Sequence, residues 1–569
     1  MSRLRSFVER TKRRLRSLGL RQAAAIAGQL PPGRHQIAAA TDLPEVVPSE
    51  DQLRRWALAD ELDYQVWCFF NGFVTLEEWN SQRSSSLEMD PLKQPFISVI
   101  TPVFNTPIEY LRECIYSVST QSYPFWELCI VDDASTDAAT LAELEELADG
   151  EPRISIKRLA ANVGICGATN AALEMASGDY VAFLDHDDRL SPDALFHVAE
   201  LIVGDPNISA VYSDRDFINH ENIRTNPLFK PHWAPETLLA GNYLFHLTVY
   251  RRTLIVELGG YRAEFEGSQD LDLALRVAET DAVIAHLARV LYHWRKHDGS
   301  MAGLPEAKPH IFDTGIAAIR AALVRRGIAG SVNELPDIWR GNYIVQLEPT
   351  STSVERVTIA DPAKTRSTVL EQISALESEH VLVTHTEMDV DEVGEAQMTA
   401  WLDQPHIAAT TARIVDSKQF LRHAGLVRHR SGLPVAVYAG KPMTEPGHGV
   451  TTMSVRNISL IHPLLSAWRR EVLSACLEAS PFEGVFAMID ASIRAEALGY
   501  RLMYVPLATV TSDLTDVDPL SWPSDDATQF AEIHGDDVAY DWHFHWALDR
   551  ENADGRIGVG APLYRSDFG

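Results

Sequence analysis

Residues 180–190 read Tyr180-Val181-Ala182-Phe183-Leu184-Asp185-His186-Asp187-Asp188-Arg189-Leu190, an apolar run that passes directly into three carboxylates. A short apolar run such as Val181 to Leu184 needs cover on both faces, which a parallel sheet provides. Asp185, Asp187 and Asp188 then stand at the strand's C-terminal edge, where open α/β sheets bind their ligands. Three acids within four residues repel one another unless a positive charge holds them together. A hard divalent cation carrying a diphosphate meets that need. A polar strand end capping the next helix, with Ser191-Pro192-Asp193 as cap and first turn, accounts for Asp188 or Ser191 but not for the whole cluster. The run is therefore read as a metal site.

Working outward, strands and helices alternate. Strands are predicted over 96–101, 128–131, 154–157, 180–184 and 210–212. Helices are predicted over 107–120, 137–148, 167–176 and 192–203. This alternation implies a mostly parallel, helix-covered sheet. Three of its strand ends are polar: Thr101-Pro102-Val103-Phe104-Asn105, Asp132-Asp133-Ala134-Ser135, and the acids at 185–188. In a parallel sheet they project to one edge. Between them, Asn162-Val163-Gly164-Ile165-Cys166-Gly167 enters a helix, with glycines that permit close backbone approach and a helix N-terminus suited to an anion.

The runs SVITPVFN, IVDDASTD, NVGICGATNAAL and GDYVAFLDHDD resemble family 2 glycosyltransferases of GT-A fold, over residues 95–300. The resemblance implies inverting transfer of a sugar from a nucleotide donor to an acceptor hydroxyl. It places Pro102, Asn105, Asp133 and its neighbour Asp132 on the nucleotide side, with Asn162 and Gly164 lining the pocket. Asp187, with Asp188, would contact a divalent metal (Mn²⁺ or Mg²⁺), and Asp185 would lie nearer the ribose. Tyr212-Ser213-Asp214-Arg215-Asp216, Phe229-Lys230-Pro231 and Gly241-Asn242-Tyr243 resemble a subgroup that builds bacterial surface polysaccharides, whose acceptor would be a glycan, plausibly linked to polyprenyl diphosphate. Asp270, in Gly267-Ser268-Gln269-Asp270-Leu271-Asp272, would be the catalytic base. An acid stabilised by the helix dipole is the other reading, and Ser268 or Asp272 fits it too. In Tyr292-His293-Trp294-Arg295, His293 would complete the metal shell and Arg295 would grip the diphosphate. Ser300 is a further phosphate candidate. Alone, a histidine after a strand is usually structural.

The C-terminal third resembles a degraded copy of the same fold. Val381 to Asp389 sits where a second strand and acid motif would fall, and Leu421-Arg422-His423-Ala424-Gly425 resembles a segment of second domains in that subgroup. Between Val357 and Val381 the nucleotide motifs are missing, so no second transferase site is expected. Trp542, His543, His545 and Trp546 suit either sugar stacking or a helix packed on the core. Three regions result: 1–94, a basic amphipathic helix, linker and helical segment; 95–330, the catalytic domain; and 331–569, the degenerate domain.

The net charge of -29 argues against nucleic acid as a partner. No stretch approaches the roughly 18 apolar residues of a membrane span. Cys68, Cys114, Cys129, Cys166 and Cys476 are scattered without a CxxC pair, as core thiols of a cytoplasmic protein would be. Residues 1–21 carry eight basic side chains and one acid, with Leu4, Phe7, Val8, Leu15 and Leu18 on one stripe. That helix suits either an anionic membrane surface, making the protein peripheral on the inner face, or the acidic body of the protein. Helical character is expected over 51–82 and a linker from Ser84 to Pro95. Oligomeric state is left open. Two alternatives are carried: a non-catalytic glycan-binding or scaffold protein on two such folds, and a nucleotidyltransferase. The second lacks the basic loop it needs after the first strand.

Overall fold

The computed structural model describes residues 59–90, 93–148, 151–297, 310–335, 341–350, 354–428, 433–514 and 524–534, with 541, 543–545 and 548. The basic stripe at 1–21, Ser300, Trp542 and Trp546 lie outside the described residues.

Among the described residues two helices precede the first sheet, α1 (Ala59–Asn71) and α2 (Leu76–Glu88). The chain breaks between them because Thr75 and Glu78 form a reciprocal capping box, with Thr75 N donating to Glu78 Oε2 at 2.8 Å and Glu78 N to Thr75 Oγ1 at 3.1 Å. The linker expected from Ser84 is instead the last turn of α2. Ser85 and Ser86 stay helical by donating their hydroxyls back to the carbonyl of Gln82.

The first sheet contains β1 (Ile97–Val103), β2 (Trp126–Asp132), β3 (Ile154–Arg158), β4 (Tyr180–Phe183), β5 (Arg189–Leu190), β6 (Ile208–Ile218), β7 (Arg224–Leu228), β8 (Thr248–Arg251) and β9 (Val283–Arg295). Its order is β3-β2-β1-β4-β8-β6-β9-β5, with β7 paired to β6. β1 is buried along its whole length, as a central strand covered on both faces must be. β3, β2, β1 and β4 run parallel; β8 is antiparallel to both β4 and β6, and β6 is parallel to β9. The crossover helices are α3 (Ile108–Ser119), α4 (Ala138–Ala148), α5 (Gly164–Met175) and α6 (Ala194–Gly204). In α3 the buried residues Leu111, Cys114, Ile115 and Val118 recur at helical spacing and face the sheet. The fold is α/β with a mostly parallel, helix-covered sheet. Two further helices follow β8: α7 (Arg252–Glu257) and α8 (Gln269–Val277).

A hairpin of β10 (Gly330–Glu334) and β11 (Tyr343–Leu347) leads to the second sheet. That sheet is built on β12 (Val354–Ile359), β13 (His380–His385), β14 (Ile407–Val415), β18 (Arg456–Ile458), β19 (Leu465–Arg469) and β20 (Arg501–Thr511), in the order β12-β13-β19-β14-β20-β18. β12 and β13 are parallel, β19 is antiparallel to β13 and β14, and β14 is parallel to β20. The sequence β1-β4-β8-β6-β9 of the first sheet has the same order of strand senses. Among the described residues nothing in the second sheet corresponds to β2 and β3.

One hydrophobic cluster runs through the second unit into Tyr212, Phe229, Leu238, Leu271 and Leu275 of the first. Polar contacts pin the join: Asn457 Nδ2 donates to Glu236 at 2.7 Å, and Arg501 Nη2 lies 2.6 Å from the same carboxylate. The tail adds a clamp. His545 Nε2 lies 2.7 Å from Asp214 Oδ2, its ring stacks 4.8 Å from Phe229, and His286 Nε2 holds Asp214 Oδ1 at 2.8 Å. These are hydrogen-bond lengths, since ligands about 2.0–2.2 Å from a tetrahedral zinc would stand about 3.3 Å apart. His545 is therefore buried on the first unit and not displayed to solvent. All five cysteines are buried and free. Among the described residues no helix is long and apolar enough to cross a membrane.

Candidate active site

The exits of β1 and β2 are stitched together by Asn105. Its side-chain carbonyl accepts from the N–H groups of Thr136 (2.8 Å) and Asp137 (3.0 Å), and its own N–H donates to Ser135 Oγ at 2.9 Å. Asn105 sits at φ 48° and Ala134 at 59°, a conformation that costs non-glycine residues energy and is concentrated at functional loops. Pro102 is buried in β1 opposite Val131. Asp132 is buried too, accepting from Ser135 N at 3.0 Å with Arg158 Nε 3.2 Å away. Asp133 caps α5: its two oxygens accept from Val163 N (2.7 Å) and Gly164 N (3.0 Å), and Asn162 Nδ2 donates to its carbonyl. Gly164 is required there, because it takes φ 79° and a Cβ would stand 2.4 Å from a Glu266 carboxylate oxygen. The glycine loop and the first two strand ends thus form one wall of a crevice.

The acid loop forms the next wall. Asp188 is fully buried; Tyr292 donates its hydroxyl to Oδ2 at 2.5 Å and Arg295 its backbone N–H to Oδ1 at 2.7 Å. Burial, with Asp187 and Asp185 adding to it, pushes the Asp188 carboxyl well above the usual range. His297 Nε2 lies 2.8 Å from Asp187 Oδ2 and outweighs burial there, so Asp187 is held below its ordinary value. Asp185 differs. Among the described residues no hydrogen bond is donated to its carboxylate; His246 Nε2 stands 3.7 Å away. Burial first, then Asp187 and Asp270, push it up to about 7.

These acids fit a divalent cation. Burial and neighbouring acids make Asp185 and Asp188 resist ionisation, and one donor atom each from Asp185, Asp188 and His246 lies within 4.8 Å of the others. Carboxylate donors suit Mg²⁺ or Mn²⁺.

His293 and Arg295 are placed elsewhere. His293 Nδ1 bonds Asp216 at 2.6 Å, and Asp216 also holds Tyr64 of α1 and Arg224. The Arg295 guanidinium is fully buried, bonded to the carbonyl of Asp187, to Asn222 and to Glu113, and packed over Tyr110. It braces the acid loop from behind. The imidazoles at the acids are those of His246 and His297, which the motif reading missed. His297 stands two residues past the end of β9, close in sequence to the Tyr292–Arg295 motif, and that proximity is the signal that could have found it. His246 lies in an irregular loop and carries no such signal.

Asp270 opens α8. Asn242 Nδ2 donates to its Oδ2 at 3.0 Å and Leu271 N to its Oδ1 at 2.8 Å. Burial raises its carboxyl above the ordinary value, although these donors oppose the rise. Its charge reaches Asp185, Tyr250 and Tyr261, so base candidate and acid loop share one space. Asp272 takes the structural role: fully buried, it is bound by Arg262 and by Arg276 at 2.8 Å.

An open α/β sheet with a glycine loop, an acid loop and a partly buried acid at one edge defines the GT-A class of fold. Residues 98–259 match the family model described as glycosyl transferase family 2. The chain is 30% identical over 509 residues to an uncharacterized protein, y4gI, of Sinorhizobium fredii, covering 77% of this chain and 56% of that one. It is 34% identical over 311 residues to the O-antigen biosynthesis protein RfbC of Myxococcus xanthus, covering 54% of this chain and 23% of the relative. The chain thus spans about half or less of these curated relatives. Among solved structures, the mannosyltransferase PcManGT of Pyrobaculum calidifontis, in complex with GDP-Man and Mn²⁺, is 20% identical with a TM-score of 0.32, covering 46% of this chain and 76% of that one.

Proposed function

We propose that this protein is an inverting glycosyltransferase of polysaccharide assembly, moving a sugar from a nucleotide-sugar to a hydroxyl of a glycan acceptor, lipid-linked in this reading. The observation that carries this reading is that one loop, residues 242–246, meets both acids: Asn242 Nδ2 donates to Asp270 at 3.0 Å, and His246 Nε2 stands 3.7 Å from Asp185. In this reading Asp133, Asn162 and Gly164 shape the nucleotide wall. Asp185 and Asp187 face the diphosphate, and a divalent cation held by Asp185, Asp188 and His246 would offset its charge. Asp270 takes the proton from the acceptor hydroxyl as the carbon–oxygen bond to the diphosphate breaks. Burial raises its pKa above that of a free carboxylate, the direction that strengthens a base. Tyr292 and Arg295 hold the acid loop in place.

The second unit, in the same reading, is a degenerate copy that performs no transfer. Its sheet has no counterpart of β2 and β3, the strands whose ends bear the nucleotide loops in the first. Hydrolysis and transfer assays with a panel of nucleotide-sugars and Mn²⁺ or Mg²⁺ test the proposal. Turnover lost in Asp187→Ala is the expected result. No binding or turnover with any donor, with Asp187→Ala behaving as wild type, leaves the non-catalytic scaffold reading in its place.

A further inference from the structure

Beside the acid loop, away from the nucleotide wall, lies a group of side chains that the proposed reaction does not use. Phe217 and Trp294 stack at 5.1 Å on the paired strands β6 and β9, and Phe245 meets Trp294 edge-on at 5.5 Å. All three rings are half-exposed. Arg215 lies beneath them, only 8% exposed, with its guanidinium 4.5, 5.4 and 4.8 Å from the rings of Phe217, Phe245 and Trp294. The Lys296 ammonium stands 3.8 Å from the Phe217 ring centre.

The electrostatics are unbalanced. Arg215 Nε and Nη1 are buried without a hydrogen-bond partner, and among the described residues no carboxylate forms an ion pair with Arg215 or Lys296. Guanidinium carries five N–H donors, and leaving them buried and unmet is costly. Contact with ring faces recovers part of that cost, not the hydrogen bonds. Burial holds both cations below their ordinary pKa; the Arg215 charge lowers Lys296 further, while Asp216 and Asp188 act on Arg215 from a distance in the opposite sense. In a chain of net charge -29, two neighbouring cations with no carboxylate in ion-pair contact among the described residues offer a place for an anion from outside.

We propose that Arg215, Lys296, Phe217, Phe245 and Trp294 form an acceptor subsite for a sugar residue that carries an anionic group, a carboxylate or a phosphate. Ring faces stack on the apolar face of a pyranose, and the fork of Arg215 pairs with two oxygens of the anion. The placement favours acceptor over donor. His246 stacks on Tyr292 at 4.6 Å and meets Trp294 at 5.5 Å, so the platform joins the acid loop on the side of β8, β6 and β9. Residues 242–246 then lead from the Asn242 contact with Asp270 to this platform. The nucleotide wall lies across β4, on β1, β2 and α5.

The inference rests on the glycosyltransferase reading for the word acceptor, and the test separates the two. Full-length protein is titrated with a glucuronate-containing disaccharide, with glucose 1-phosphate, and with the matching neutral sugars, following Trp fluorescence. Nucleoside diphosphates with Mn²⁺ are titrated in parallel. Expected is binding of at least one anionic sugar about tenfold or more tighter than its neutral counterpart, and loss of that preference in both Arg215→Met and Lys296→Gln. Which of the two binds identifies the anion. Equal binding of neutral and anionic sugars, no binding of either anionic sugar, or an unchanged preference in folded Lys296→Gln overturns the subsite. So does weakened nucleoside diphosphate binding in the variants, which would assign the cations to the donor. If nucleoside diphosphates bind and anionic sugars do not, only the subsite fails; if no nucleoside diphosphate binds, the transferase reading fails.

Discussion

His297, two residues past the end of β9, holds Asp187 at 2.8 Å, whereas His293, four residues earlier and within β9, holds Asp216 at 2.6 Å. The two imidazoles therefore predict different losses. His297→Ala should weaken Mn²⁺ binding several-fold with little change in stability. His293→Ala should leave Mn²⁺ binding intact and lower stability by about 1–3 kcal/mol, because Asp216 loses a buried partner. Manganese titration followed by spin resonance, with urea denaturation beside it, checks both. The reverse pattern would return His293 to the metal shell.

Asp270→Asn keeps the size of the side chain and one of the two hydrogen bonds the carboxylate accepts, from Asn242 Nδ2 and Leu271 N, because the amide NH₂ cannot accept the other. It removes the proton acceptor. Transfer should fall by about 10²–10⁴-fold at nearly constant donor KM. A fall of less than about threefold would assign Asp270 to helix capping and send the search for a base elsewhere.

Asp185 titrates near neutrality in the metal-free protein. Its folded value of about 7 exceeds the unfolded value of about 3.9, so the folded state holds the extra proton between them and stability falls as pH rises through that window. A cation needs the ionised carboxylate. The rise in Tm on adding Mn²⁺ should therefore be larger at about pH 8 than at about pH 5.5, measured by scanning fluorimetry. An equal rise at both would place the cation away from Asp185.

Asp214 joins β6, β9 and the tail through His286 and His545. Burial would raise its carboxyl, but the two imidazoles prevail and hold it below the ordinary range. Its contribution is present above the unfolded value near 4 and is lost as pH falls below it. Asp214→Asn should cost about 3–5 kcal/mol, the penalty for breaking a buried pair, seen in the urea midpoint at neutral pH. An unchanged midpoint would mean that the tail contributes nothing to the first unit.

Much of the first unit was legible because its signals are local. The apolar runs at 97–103 and 180–183, the Pro102 and Asp133 turns and the glycine at 164 each encode backbone geometry within a few residues. The contacts of His293 and Arg295 were not legible, since their partners Asp216, Asn222 and Glu113 lie 73 to 182 positions away. A histidine beside an acid motif in sequence says which strand it is on, not which carboxylate it meets. The unpartnered state of Arg215 is hidden for the same reason, because only the fold shows what fails to reach it. Ser85 and Ser86 misled in the other direction: a serine run reads as linker until its hydroxyls are seen bonded within the helix.

The second sheet keeps every inner strand of the first and has no counterpart of the βα units at one edge. Those units are therefore a detachable margin. A scaffold of this kind can shed its ligand-facing border and still close its core, so selection on chemistry and selection on folding act on different strands of one sheet. A chain that houses both versions side by side contains its own control: whatever the second unit does well without that margin cannot depend on nucleotide recognition.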